Sequence, residues 1–150
     1  MNIRNTIVLA GAVFIAGSAF AADTTRFVSK VKLPSGQTAV VAEGDFEARS
    51  TGSFSVRLYD AAEPTDETTF FAAGTVAARD GTIEKVLVED IDDDKTPELI
   101  VTVRSAGSGG YLSAHAFSVA KQQIALKSSI DGLAPATDAV AELRKAAHTK

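Results

Sequence analysis

The sequence predicts an all-β domain, either an antiparallel β-sandwich or a flattened barrel of about eight strands, with a short C-terminal helix. Three observations lead to this fold class. Apolar and polar residues alternate with a period of two in several short segments. Turn residues separate these segments at short intervals, as in antiparallel sheets. Only the last segment, 138–147, has a helical pattern.

The first 21 residues are predicted to be a secretory signal peptide. Arg4 makes the start positive, an apolar run covers 7–20, and Ala-Phe-Ala at 19–21 fits the small-x-small cleavage pattern. An uncleaved anchor is the alternative, but the run is shorter than the roughly 20 residues of a membrane span. We expect cleavage after Ala21 or one residue later, which leaves a single mature domain, 22–150.

The composition excludes several classes of function. The chain has 15 Lys and Arg against 19 Asp and Glu, and without Arg4 the formal charge is −5. An acidic domain without a basic cluster is unsuited to nucleic acid or anionic membranes, and suits a basic protein partner. Cysteine is absent, so disulfides, thiolate metal sites and a lipid anchor on cysteine are excluded. We expect an exported, freely soluble product.

The first three extended segments are separated by turns. Segment 27–33 alternates until a Pro-Ser-Gly turn at 34–36, and an apolar run at 38–42 forms the second. In the third, 53–59, apolar side chains at even positions face one way and polar side chains at odd positions the other. This third alternation is the clearest in the chain.

Five further segments follow a loop that contains Pro64. The dipeptide Asp80-Gly81 is typical of hairpin turns and predicts a hairpin between the first two of them. The last segment is expected to pair with the one before it. The five segments are 68–78, 82–89, 98–104, 111–119 and 122–127.

The C-terminal segment is predicted to be a short helix or a frayed tail. Thr137 is a suitable N-cap, and Asp138 is favourable near a helix N-terminus. Val140 and Leu143 give a thin apolar stripe.

The residues do not indicate an enzyme. His148 lies in the C-terminal tail, and His115 lies in an alternating strand beside Phe117, where we expect it to pack. Serine is common, but no nucleophile-elbow pattern follows a strand.

The acidic stretch 90-DIDDDKTPEL-99 has the spacing of oxygen-ligand calcium loops. Lys95 departs from that pattern, because it stands where such loops usually place glycine and its charge opposes a cation. Two interpretations stay open: a solvated acidic turn, or a calcium site in an exported adhesion or binding module. The candidate ligands are Asp90, Asp92, Asp94 and Glu98.

The stretch 104-RSAGSGGYLS-113 places flexible residues between two apolar runs. It leads into a strand and lacks the Lys-Ser/Thr of a P-loop, so it is not a phosphate cradle. It offers the hydroxyl groups of Ser108 and Tyr111 on a backbone that glycines allow to approach a partner closely. The interpretations are a plain hairpin turn followed by a packed tyrosine, or a loop that enters a concave site.

The run 86–119, VLVEDIDDDKTPELIVTVRSAGSGGYLSAHAFSV, resembles the periplasmic inhibitors of invertebrate-type (I-type) lysozymes. That family carries an acidic turn of this kind, then a strand and a Ser-Gly-x-Tyr loop, here residues 108–111. The signal peptide, the mature length and the all-β pattern agree with it. The four-residue motif is weak alone and much stronger inside VRSAGSGGYLSAHAFS.

The resemblance implies a periplasmic competitive inhibitor rather than an enzyme, without a cofactor. Its loop would insert into the cleft of an I-type lysozyme, with Ser108 and Tyr111 as contacts and Gly107, Gly109 and Gly110 shaping the loop. Lysozymes are often basic, so the acidic charge would speed encounter. A homodimer through an exposed edge strand stays open.

Overall fold

The computed structural model describes residues 26–60 and 66–149, which form two four-stranded antiparallel sheets and a C-terminal helix. The sandwich-like all-β prediction is confirmed, whereas the predicted signal peptide lies outside the described residues. The strands are β1 Val28–Lys32, β2 Thr38–Glu43, β3 Gly52–Tyr59, β4 Phe71–Arg79, β5 Thr82–Glu89, β6 Glu98–Arg104, β7 Leu112–Ala120 and β8 Gln123–Leu133, and the helix α1 is Ala139–His148. Among these residues, no helix has the length and apolarity to span a membrane.

Each sheet is a simple meander, with strand orders β1-β2-β3-β4 and β5-β6-β7-β8. The hairpin predicted at Asp80-Gly81 is therefore wrong, because β4 and β5 are edge strands of different sheets. The dipeptide forms a bend, which carries the chain from one sheet to the other. Gly81 has φ +121°, and a Cβ atom there would lie 1.9 Å from the Arg104 carbonyl oxygen. Glycine is needed at this crossing because the backbones approach so closely.

The crossing is held by the buried side chain of Arg79, whose guanidinium donates hydrogen bonds to four backbone carbonyl oxygens. Its side chain is fully buried, and Glu47 lies 3.6 Å away as its acidic partner. The crossing is therefore an ordered part of the fold. The four carbonyl oxygens belong to Ala48, Arg49, Ser53 and Gly81.

The main core lies between the two sheets, and both contribute apolar side chains from their inner faces. Phe54 and Phe117 meet edge to face across it, with ring centroids 6.0 Å apart. The alternating pattern of β3 reflects one buried face and one polar face. The buried residues of this core are Leu33, Ala39, Val41, Phe54, Val56, Leu58, Ile83, Leu99, Val101, Val103 and Phe117.

A second core lies between the outer face of the β5–β8 sheet and α1. Strand β6 is buried on both faces, which explains its nearly continuous apolar run. Ile100 points to the helix side and contributes to this core together with Ile91 and Leu143.

Helix α1 begins after Asp138, which is its N-cap. The Asp138 Oδ1 atom accepts hydrogen bonds from the backbone nitrogens of Val140 at 3.0 Å and Ala141 at 3.2 Å. Thr137 as the N-cap is therefore wrong by one residue. Both residue types are good caps, so the propensities alone do not distinguish them.

Candidate functional site

The Gly-rich loop, residues 105–111, joins β6 to β7 at one end of the second sheet. Arg104 and Leu112 are paired at its base. The Ser105 nitrogen donates to the Tyr111 carbonyl oxygen at 2.8 Å, and the Gly110 nitrogen donates to the Gly107 carbonyl oxygen at 3.1 Å. The loop is therefore an ordered hairpin end, although it contains three glycines.

Ser108 and Tyr111 are both exposed on this loop, and the Tyr111 side chain is 53% exposed. Within residues 26–60 and 66–149, neither hydroxyl group has a hydrogen-bond partner. A serine or tyrosine hydroxyl can both donate and accept. The loop thus presents two unpaired hydroxyl groups and one aromatic ring to solvent.

Two of the glycines set the position of Tyr111. A Cβ atom on Gly109 would lie 2.3 Å from the Tyr111 Cε2 atom, so the ring lies directly over this glycine. Gly110 has φ +55°, which favours glycine. The Tyr111 ring can therefore lie against the loop backbone because Gly109 has no side chain in its place.

The acidic loop, residues 90–97 between β5 and β6, is organised by Asp90. Its carboxylate accepts hydrogen bonds from the backbone nitrogens of Lys95 at 2.8 Å and Asp92 at 3.2 Å. Burial raises the pKa of Asp90, but these backbone hydrogen bonds lower it more, so the net pKa shift is downward. Lys95 has φ +69°, the conformation for which calcium loops use glycine. Asp90 thus stabilises the turn.

The ammonium group of Lys127, on β8, lies among the carboxylates of the acidic loop. Its Nζ atom is 2.7 Å from Asp92 Oδ2, 2.6 Å from Glu98 Oε1 and 3.6 Å from Asp94 Oδ2. Burial lowers the pKa of Lys127, but the hydrogen bonds to Asp92 and Glu98 raise it more, so the net pKa shift is upward. The protein therefore supplies its own cation to these carboxylates.

The structure brings together three of the four residues of the calcium prediction. Oxygen atoms of Asp90, Asp92 and Glu98 lie within 4.8 Å of one another. Asp92 Oδ1 is buried without a hydrogen-bond partner among the described residues. A calcium ion would compete with Lys127 for Asp92 and Glu98. The calcium site stays a prediction.

A groove of about 610 Å³ lies beside the loop, between the end of β4 and residues of the paired strands β7 and β8. Its lining includes Tyr111, His115 and Asp131. His115 packs against Phe54 with ring centroids 5.6 Å apart. Burial lowers the pKa of His115, and the nearby charge of Asp131 offsets this only in part. The geometry agrees with the packing role predicted for this histidine.

A family profile described as periplasmic lysozyme inhibitor of I-type lysozyme matches residues 25–147. The chain belongs to this family. The resemblance stated from the sequence is therefore confirmed, and so is the class of the protein, since the family consists of inhibitors rather than enzymes.

Solved structures of the family support the assignment. The crystal structure of the periplasmic inhibitor of I-type lysozyme from Aeromonas hydrophila is 46% identical, with a TM-score of 0.73, and the match covers 78% of this chain and 98% of that one. The crystal structure of the same organism's inhibitor in complex with Meretrix lusoria lysozyme is 45% identical, with a TM-score of 0.73 and coverage of 79% and 95%. A comparison with curated protein sequences gave no match.

In this member of the inhibitor family, the sequence located the Gly-rich loop and the acidic loop. It did not reveal two residues, distant along the chain, that form ion pairs with these loops or at their base. Lys127 is 29 residues from Glu98 along the chain, and no local pattern marks it as the cation of the acidic loop. Glu84 pairs with Arg104 at the base of the Gly-rich loop. Neither partner carries a sequence signal, because both contacts depend on strand pairing.

If Tyr111 contacts the lysozyme, as the resemblance implies, Gly109→Ala should weaken inhibition, because the new methyl group would displace the Tyr111 ring. We expect a loss of about 1–2 kcal/mol, roughly 5- to 30-fold in Kd for the lysozyme. Gly107→Ala is the matched control, since a Cβ atom there meets only Ser105 Oγ at 3.5 Å. Titration calorimetry with an I-type lysozyme measures both. Equal affinities for the two variants would contradict the placement of Tyr111 by Gly109.

Proposed function

We propose that this chain inhibits an I-type lysozyme in the periplasm by inserting the Gly-rich loop into the enzyme's active-site cleft, with Ser108 and Tyr111 as the main contacts. The observation that carries this proposal is the pair of exposed, unpaired hydroxyl groups on an ordered hairpin loop. Membership of the inhibitor family supports it. So does the solved complex of the Aeromonas hydrophila inhibitor with a lysozyme.

The chemistry of the loop suits the cleft of a glycosidase. Lysozymes cleave glycosidic bonds with acidic residues, of which one is kept protonated near neutral pH. The hydroxyl groups of Ser108 and Tyr111 can donate to a carboxylate and accept from a carboxylic acid. They can therefore satisfy both kinds of group while the loop excludes the sugar.

Tyr111 also contributes apolar contact area. An aromatic ring buries a large surface and has only two χ angles to fix, so its ordering costs little entropy. The ring is already oriented by its contact with Gly109. Tyr111 is thus suited to be the central anchor of the interface.

The charge of the protein suits a basic enzyme. Without Arg4, 14 basic residues stand against 19 acidic ones. Opposite net charges speed the encounter of two proteins, and added salt reduces that effect. Association with a basic lysozyme should therefore slow as ionic strength rises.

We also propose that residues 1–21 are removed on export and that 22–150 form one mature domain. The periplasmic description of the family and the start of its match at residue 25 support this. The mass of the protein recovered from the periplasm of an expressing bacterium measures the cleavage site directly.

A cell-wall lysis assay tests the proposed function. The purified mature protein is titrated against I-type, chicken-type and goose-type lysozymes while turbidity is followed. We expect stoichiometric loss of the I-type activity, and light scattering of the mixture gives the number of chains in each complex. Full I-type activity in the presence of excess, folded protein would overturn the proposal.

A further inference from the structure

We propose that Arg104, oriented by Glu84, is a positioning residue that holds the Gly-rich loop in the shape that enters the lysozyme cleft. This inference rests on the proposed function and deepens it, because it names the groups outside the loop on which inhibition depends. Neither residue belongs to the Ser-Gly-x-Tyr motif, and neither is needed for the sandwich core.

Arg104 contacts both the loop and Glu84. It is the last residue of β6, and its Nη1 atom donates a hydrogen bond to the Gly110 carbonyl oxygen at 2.8 Å. Its Nε atom lies 2.6 Å from Glu84 Oε2, and its Nη2 atom donates to Glu84 Oε1 at 2.9 Å. A guanidinium paired with both oxygens of a carboxylate has a defined plane. The pair with Glu84 therefore fixes the direction in which Nη1 points.

Glu84 reaches Arg104 across the β5–β6 pair, from a β-bulge. The register between β5 and β6 pairs Ile83 with Val103 and Lys85 with Thr102, so Glu84 is the extra residue of β5. The register pairs Arg104 itself with Thr82, and the Glu84 carboxylate, two residues further along β5, reaches the Arg104 guanidinium from there.

The hydrogen bond from Arg104 to the Gly110 carbonyl oxygen restricts the loop backbone next to Tyr111. This carbonyl group belongs to the peptide group that includes the Tyr111 nitrogen, so fixing it orients the backbone where the tyrosine begins. Gly110 itself has φ +55° and no side chain to restrict it. A hydrogen bond from outside the loop therefore reduces the conformations that this residue samples. Less entropy is then lost when the loop binds.

The contribution of this contact to global stability is small. Both side chains are substantially exposed, at 36% for Arg104 and 31% for Glu84, and exposed ion pairs contribute little to folding. A loss of inhibition without a loss of stability therefore distinguishes loop positioning from a general structural role.

Three variants test the proposal: Arg104→Lys, which keeps the charge but not the planar fork, Glu84→Gln, and the control Arg144→Lys. Arg144 makes the same kind of contacts away from the loop, to Glu89 Oε2 at 3.1 Å and to the Asp90 carbonyl oxygen at 3.2 Å. Three quantities are measured for each: Kd for an I-type lysozyme, Tm, and the amide hydrogen exchange of residues 105–111 in the free protein.

We expect Arg104→Lys to raise Kd about tenfold and Glu84→Gln to raise it several-fold, with faster exchange in the loop and a nearly unchanged Tm. Arg144→Lys should leave Kd and loop exchange unchanged. A wild-type Kd in both Arg104→Lys and Glu84→Gln overturns the proposal. So does weaker binding with unchanged loop exchange, because Arg104 would then act by touching the enzyme.

These outcomes are separate from a failure of the proposed function. If a folded variant without the Ser108 and Tyr111 side chains inhibits normally, loop insertion itself is wrong. If that variant is impaired while Arg104→Lys and Glu84→Gln are not, only the positioning role is wrong.

Discussion

Replacing Ser108 and Tyr111 together by alanine is expected to weaken binding to an I-type lysozyme by about 10²- to 10³-fold. Central aromatic contacts typically cost 2 kcal/mol or more when truncated, and a lost hydroxyl contact adds about 1 kcal/mol. Both side chains are exposed in the free protein, so we expect a change of Tm of no more than about 2 °C. Calorimetric titration and a thermal melt measure the two effects.

Two single changes refine this experiment. Tyr111→Phe keeps the ring and removes the hydroxyl group, so it should cost less than Tyr111→Ala. Phe70→Ala is the control for loss of an exposed aromatic side chain, since Phe70 is 61% exposed and precedes β4. The loop lies near the other end of that strand, beside Arg79 and Asp80. Unchanged inhibition by the folded double variant would show that the loop does not enter the cleft.

Lys127→Ala is expected to give the largest loss of stability, about 3 kcal/mol in the free energy of unfolding and roughly 10 °C in Tm. The Glu98 side chain is only 1% exposed. Without Lys127, this carboxylate would keep the Ile91 backbone N–H as a donor at 3.1 Å but no cation. Removing one partner of a buried ion pair leaves an uncompensated charge in a region of low dielectric constant.

Lys145→Ala is the matched control for this loss. Lys145 pairs with Glu142 on the helix surface and is 71% exposed, so we expect a change within about 0.5 kcal/mol. Urea denaturation of both variants and of the wild type measures the difference. A Lys127→Ala variant no less stable than Lys145→Ala would contradict the role assigned to Lys127 as the cation of the acidic loop.

The same proteins test the calcium prediction. If calcium binds the wild type, millimolar calcium should raise its Tm and give heat on titration. Lys127→Ala frees Asp92 and Glu98, so we expect calcium to raise the Tm of this variant more than that of the wild type. If neither protein responds, Asp90, Asp92, Asp94 and Glu98 do not form a calcium site.

Local sequence patterns were sufficient for the fold class and for much of the strand list. The predicted segments 82–89 and 98–104 coincide with β5 and β6, because turn residues bound both of them. Alternation in β3 reflects one buried face, a property that each strand shows by itself. The helix was also visible, although its N-cap was placed one residue too early.

Pairing between distant strands was not visible in these patterns. Asp80-Gly81 indicates a chain reversal, but whether the following strand pairs with the preceding one depends on which faces are buried together. Here the two strands end in different sheets. The same limit applies to Lys127, which reaches the acidic loop only because β8 pairs with β7 next to β6.

For the candidate site, the sequence by itself determined where the Gly-rich loop lies, because glycine and serine residues between two apolar segments mark a connection whatever the strand order. The sequence left open whether Tyr111 packs against the domain, and the structure shows that it is exposed. Only the tertiary structure decided how that loop is held. The Tyr111 ring packs over Gly109, and the Arg104 guanidinium donates a hydrogen bond to the Gly110 carbonyl oxygen. Neither contact follows from the order of residues in the sequence. The guanidinium of Arg104 is oriented by Glu84 only because β5 pairs with β6, and the register of that pair is a property of two strands together.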